Sequence, residues 1–197
     1  MSIKVVFVPL ADADGAQATI AAAIAVAGPL GAEVDVANIS GDPTRMLGDM
    51  VGETVSPQLI EEVLAQAEKH ARDSAAAARK AFDAATKDAR GVKTQYADLK
   101  TATDVAVEER GRLADLIVVR RATSAKDVGA RVVAEVALMS TARPVLIVPG
   151  KAPAKIGSSV AVAWNDSLES SKAVAAALPF LTAAEQVTVI SATEDGP

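Results

Sequence analysis

Residues 114–150, ADLIVVRRATSAKDVGARVVAEVALMSTARPVLIVPG, constrain the fold more than any other stretch of the chain. Asp115 to Val119 is a short apolar run rich in β-branched residues, the pattern of a strand buried on both faces. Val132, Val133, Val136, Ala137 and Ser140 then recur at helical spacing, and Arg143-Pro144 closes that helix, because the residue before a proline is steered away from the α region. Val145 to Val148 is a second buried strand, stopped by Pro149-Gly150. Two buried strands joined by a helix make a parallel βαβ unit with a right-handed crossover.

The upstream sequence repeats this alternation. Ile3 to Leu10 is a strand, and residues 11–15 form a turn in which Asp12 or Asp14 can cap the next helix. That helix runs to about Ala27, where Gly28-Pro29 breaks it. Glu33 to Ile39 is a second strand whose more open alternation places it nearer an edge. Ser40 to Val55 is one long irregular connector. Ser56-Pro57 starts a long helix as N-cap and first helical residue, with Leu59, Ile60, Val63, Leu64, Ala67, Ala71, Ala75, Ala78 and Phe82 in helical spacing towards Lys87. Val92 to Leu99 alternates polar and apolar as an edge strand should. Thr101 or Thr103 caps a helix from Asp104 to Leu113. Residues 1–150 thus hold five strands alternating with four helices, a doubly wound five-stranded parallel α/β domain. Such sheets bind ligands beyond the carboxyl ends of their strands.

Half of the residues are hydrophobic but only 3% are aromatic, so the core must be packed from Ala, Val, Leu and Ile. A net charge of -5 argues against a nucleic-acid or anionic-membrane surface, and the absence of cysteine excludes disulfides and thiolate chemistry. No signal-peptide pattern is present, and no apolar run approaches the roughly 18 residues of a membrane span. A cytoplasmic protein is expected.

Residues 151–158 (KAPAKIGS) read as a linker. The pattern then restarts in residues 159–197. Val6-Phe7-Val8 corresponds to Val160-Ala161-Val162, and Val34-Asp35-Val36 to Val187-Thr188-Val189. This is an internal repeat that stops after its second strand. A lone βαβ unit cannot bury a two-sided parallel sheet, so the piece either belongs to a longer tandem protein or docks on the first domain or on a partner chain.

The strand ADLIVV, a helix containing Val133-Ala134-Glu135 and a closing RPVLIVP resemble the universal stress protein family. So does an opening turn of the V-P-x-D-G-S type, present as Val8-Pro9-Leu10-Ala11-Asp12 and again as Val162-Ala163-Trp164-Asn165-Asp166-Ser167. The resemblance is to the tandem-domain members, with the second domain incomplete in this chain. It implies a stress-response protein of the nucleotide α-hydrolase-like fold, dimerising through the strand Val145 to Val148. One subclass of the family binds ATP through a G-x-x-G followed by G-S or G-T, glycines that let backbone N–H groups approach phosphates. Here the corresponding loop is Arg120-Arg121-Ala122-Thr123-Ser124-Ala125-Lys126. The expected G-S falls on Arg131-Val132, Gly129 is out of register, and the acidic position of the first turn aligns with Ala11, with Asp12 one step late. The leading expectation is a non-enzymatic homodimer whose first domain has a degenerate ATP loop, with any family-type ATP site left to the second domain. The alternative is an ATP or AMP sensor with Pro9, Leu10, Ile39 and Val119 around an adenine, Asp12 in the first turn, and Arg120, Arg121, Lys126 and Arg131 gripping phosphates with side chains. A fold-related α/β enzyme comes third, by analogy alone. No metal ligands are expected, since His70 is the only histidine. Trp164 lies just before the repeat's turn, where an adenine ring would stack in a relative, but packing is the role expected of it. Ser40-Gly41-Asp42 lacks the second glycine of a phosphate loop.

Overall fold

The computed structural model describes residues 2–41, 56–150 and 155–191. Five parallel strands, β1 (Val5–Leu10), β2 (Glu33–Ser40), β3 (Thr94–Lys100), β4 (Leu116–Arg120) and β5 (Val145–Val148), form one sheet in the order β3-β2-β1-β4-β5. They alternate with α1 (Ala16–Leu30), α2 (Pro57–Thr86), α3 (Thr103–Gly111) and α4 (Val128–Ser140).

Two apolar clusters follow from the period-2 alternation of side chains along each strand. Val6, Val8, Val34 and Val36 meet Ile20, Ala23 and Ala27 of α1 and Ala78 and Phe82 of α2. Phe7, Ala37, Ile39, Ile117 and Val119 meet Val107 of α3 and Val133 and Ala137 of α4. Fully buried side chains such as Ile20 and Ile117 each contribute about 1.5–3 kcal/mol of transfer free energy. The shortage of aromatics is met by alanines that let helices lie close, with Ala22, Ala23 and Ala27 all 0% exposed. The carboxylate of Asp115 ties the sheet together at one end, accepting the N–H groups of Lys4 (2.8 Å) and Val5 (3.0 Å).

Several local expectations need correction. β2 is nearer an edge than the central β1, as its alternation suggests, but it is not itself an edge, because it pairs with both β1 and β3. Its polar residues are paired rather than solvated: Asp35 meets Arg110 at 3.1 Å, and the buried Asn38 amide donates to Asp98 at 2.9 Å. The edges are β3 and β5, and β5 is only partly buried, with Ile147 45% exposed. Helix α1 runs past Gly28-Pro29 to Leu30 because Pro29 falls on its exposed side in the last turn. Gly31, at φ 60°, closes it in the left-handed conformation. No aspartate caps α1; its N-cap is Gly15, and Asp12 is used elsewhere. Likewise Ala102, not Thr101 or Thr103, precedes α3, with no side-chain cap, and that helix ends at Gly111 rather than Leu113. Ser56 does cap α2, its Oγ accepting the N–H of Leu59. Most of the Ser40–Val55 connector, part of the linker and residues 192–197 lie outside the described residues.

The repeat forms β6 (Ser159–Trp164), α5 (Leu168–Leu181) and β7 (Gln186–Ser191), with β6 and β7 making a separate two-stranded parallel sheet. Val160 pairs with Val187 and Val162 with Val189, as Val6 pairs with Val34 and Val8 with Val36. Ile156 and Phe180 pack against the first cluster of the larger sheet. Val189 (63%) and Ile190 (57%) stay exposed.

Gly111 offers a test of how tightly α3 seats. A Cβ there would come within 2.8 Å of Thr141 Cγ2 and 2.9 Å of Ile117 Cδ1, both on buried side chains. Gly111→Ala is expected to cost about 1–3 kcal/mol, read as a lower urea midpoint with unchanged slope.

Candidate functional site

In the order β3-β2-β1-β4-β5 the successive strands are added to one side of β1 and then to the other, so the ligand crevice of this sheet type lies beyond the carboxyl ends of β1 and β4. Arg120, the last residue of β4, occupies that place. Its guanidinium lies between two carboxylates. Nη2 donates to Asp12 Oδ2 at 2.8 Å and Oδ1 at 3.1 Å, and to Asp127 Oδ1 at 2.8 Å, while Nη1 donates to Asp127 Oδ2. Asp12 comes from the β1–α1 turn and Asp127 is the N-cap of α4, so one cation fastens two loops across the crevice.

Asp127 is the most heavily served group here. Besides Arg120 it accepts the Thr123 N–H (3.1 Å), the Thr123 hydroxyl (3.3 Å) and the Ala130 N–H (3.4 Å). Its side chain is 9% exposed and that of Arg120 13%. The Arg120 guanidinium, with help from the Thr123 N–H, holds the Asp127 carboxyl well below the usual carboxylate range despite its burial. The hydrogen bond to Asp127, and that to Asp12, raise the pKa of Arg120 further against the opposing effect of burial.

Two glycines admit this arrangement. Gly15 has φ 64°, and a Cβ on it would lie 3.3 Å from Arg120 Cδ. A Cβ on Gly129 would lie 2.9 Å from Asp12 Oδ2 and 3.4 Å from Ala11 Cβ. What remains between Pro9, Leu10, Asp12, Thr19, Arg120 and Val133 is a cavity of ≈ 10 Å³, about the room of a single water.

The other expected site residues are scattered. Leu10 belongs to the cluster under α1, whereas Ile39 and Val119 belong to the opposite one, so these apolar residues do not share a surface. Arg121 is exposed and its N–H donates to the carbonyl of Val148 at 2.8 Å. Lys126 is exposed, and Arg131 donates to the carbonyl of Ala125 at 3.2 Å. Of the basic cluster, only Arg120 enters the crevice. Trp164 donates from Nε1 to Asp166 at 2.7 Å. His70 is exposed on α2, at the rim of an open cleft of ≈ 670 Å³ that also touches Ala11, Ile39, Ser40, Val63 and Thr103. Among the described residues no group of three His, Cys, Asp or Glu side chains is placed to hold a metal, and no helix is long and apolar enough to cross a membrane. Sequence reasoning missed Asp127, Thr123 and the steric role of Gly129. An N-cap rule applied to Asp127-Val128 would have found the first, had the helix been started at Val128 rather than Val132.

The sheet order, the crevice and its flanking loops define a doubly wound α/β protein with its candidate site at the β1/β4 switch point. This architecture is the universal stress protein fold. Universal stress protein UspA from Lactobacillus plantarum superposes with a TM-score of 0.55 at 15% identity, over 75% of this chain and 98% of that one. A universal stress protein from Archaeoglobus fulgidus DSM 4304 gives 0.58 at 16% identity, over 98% of this chain and 67% of that one. No family model and no curated protein matches the sequence.

The depressed Asp127 carboxyl makes stability depend on pH. Its contribution is complete above the unfolded-state value of about 3.9 and is lost as pH falls from there towards its lower folded-state value. Wild type is therefore expected to exceed Asp127→Asn in unfolding free energy at pH 7. Denaturant titrations should show that gap narrowing once the pH drops below about 4.

Proposed function

We propose that the chain is a cytoplasmic, non-enzymatic stress-response protein of the universal stress type, whose first domain serves structure and dimerisation. Residues 151–158 are its linker, and residues 159–197 open a second domain of the same kind. One observation carries the reading. The cation that would meet a ligand's phosphates is neutralised within the chain, and Asp127 takes up the N–H of Ala130 in the first turn of α4 and that of Thr123 in the loop before it. Two carboxylates around one guanidinium leave the crevice with a formal charge of -1, which opposes a polyphosphate. The remaining ≈ 10 Å³ leaves no room for a base or a ribose.

Dimerisation is assigned to β5. It is an edge strand whose outer backbone groups have no strand neighbour among the described residues, and Ile147 is 45% exposed on it. An isologous pairing of two such edges closes at two copies. Ile147→Lys should shift the mass seen by light scattering from dimer to monomer while leaving the far-ultraviolet circular dichroism unchanged.

A second reading, a nucleotide sensor, draws on the ≈ 670 Å³ cleft, which falls in the size range of small-molecule sites and reaches Ile39 at the end of β2. Thermal unfolding with and without millimolar ATP-Mg separates the two readings, because a ligand that binds only the folded state raises its midpoint. Under the leading reading the midpoint does not move. A clear rise that Arg120→Ala/Arg121→Ala abolishes would favour the sensor instead.

A further inference from the structure

We propose that Thr123 is a phosphorylation site whose modification unlatches the Arg120 clasp, so that closure of the switch point is conditional; this rests on the closed-site reading above. Thr123 is exposed on the β4–α4 loop, yet its hydroxyl and its N–H both donate to Asp127 Oδ2, at 3.3 and 3.1 Å. That same oxygen accepts Nη1 of Arg120. A single carboxylate oxygen therefore separates an accessible hydroxyl from the cation that fastens the two loops.

The surrounding sequence suits recognition by a phosphorylating enzyme that selects hydroxyls with a basic residue on their amino-terminal side. Arg121, exposed, lies two residues before Thr123 and Lys126 three after it, whereas Arg120 is held in the clasp. Arg121 and Lys126 are exposed and have no ion-pair partner among the described residues, in a chain whose net charge is -5.

The chemistry is phosphoryl transfer from a nucleoside triphosphate held by that enzyme. The Thr123 Oγ–P bond forms, the bond from the terminal phosphorus to the nucleoside diphosphate breaks, and the hydroxyl proton passes to a base of the enzyme. The product has no hydroxyl proton to give Asp127 and carries a charge of about -1.5 to -2 beside it. Its oxygens also compete for the guanidinium, for which phosphate is a strong bidentate partner. Because Nη2 of Arg120 serves Asp12 and Asp127 together, drawing the guanidinium towards the phosphate loosens both contacts at once. The neighbouring Ser124 is an internal control, since its Oγ accepts the Lys126 N–H at 3.3 Å and takes no part in the clasp.

The test uses the full chain, treated with a basophilic serine/threonine kinase and ATP-Mg, with the modified residue located by mass spectrometry. Hydrogen exchange is then followed at the amides of Thr123 and Ala130, both held by Asp127. The expected result is phosphate on Thr123, exchange at these amides faster by about tenfold or more, and an unfolding midpoint lower by about 3 °C. Thr123→Glu should reproduce the faster exchange without the kinase, and Ser124→Glu should not. Failure to label Thr123, or labelled protein with unchanged exchange, overturns the proposal. A midpoint rise with ATP-Mg in the unmodified chain would instead overturn the closed-site reading, so the two failures are told apart.

Discussion

A parallel sheet is apolar on both faces, and each face needs a layer of helices before its strands can leave water. In the first domain that requirement is met for the three inner strands, β2, β1 and β4. α1 and α2 cover the side of Val6 and Val36, and α3 and α4 cover the side of Phe7 and Ile117. The depth of burial follows from this symmetry, with Val6, Val8, Val34, Val36, Ile117, Val118 and Val119 all at 0% exposure. The repeat obeys the same rule and shows its other side. β6 and β7 keep the pairing of β1 and β2 but have α5 alone, and every residue of β7 is exposed. The difference lies in the cover and not in the strands.

The clasp is a second consequence of burial. A guanidinium with a 13%-exposed side chain has given up most of its water, and leaving its N–H groups without acceptors would be costly. Asp12 and Asp127 supply those acceptors from separate loops, and Gly15 and Gly129 let them approach. The place where a doubly wound sheet ordinarily meets its ligand is thereby filled by the chain's own charges. Breadth of fold and narrowness of site thus have one origin, since the packing that brings β1 and β4 together also brings their terminal loops within reach of one side chain.

Most of the architecture was legible because it rests on local patterns. Continuous β-branched runs announced β1, β4 and the crossover to β5, and Ser56-Pro57 marked the start of α2 correctly. The open alternation of β2 agrees with its place one strand in from the edge, but the pairing of its Asp35 and Asn38 was not legible. Their partners, Arg110 and Asp98, lie far along the chain and cannot be seen from the strand itself. The site was less legible for the same reason. Arg120 stood out as part of a basic run, but the carboxylates that neutralise it are 108 residues before it and seven after it, one in a turn and the other at a helix start. Basic clusters read from sequence alone overstate free charge wherever the fold delivers acids to them.

The pairing of β1 with β4 has a consequence in time. The N–H groups of Lys4 and Val5 are bound by a carboxylate 111 and 110 residues downstream, and Val6 pairs with Leu116. During synthesis the inner edge of β1 must wait until most of the first domain has been made, while its other edge is already free to join β2. Contacts of such sequence separation are entropically slow to form. The open edge of β1 is therefore the surface most in need of protection in the nascent chain.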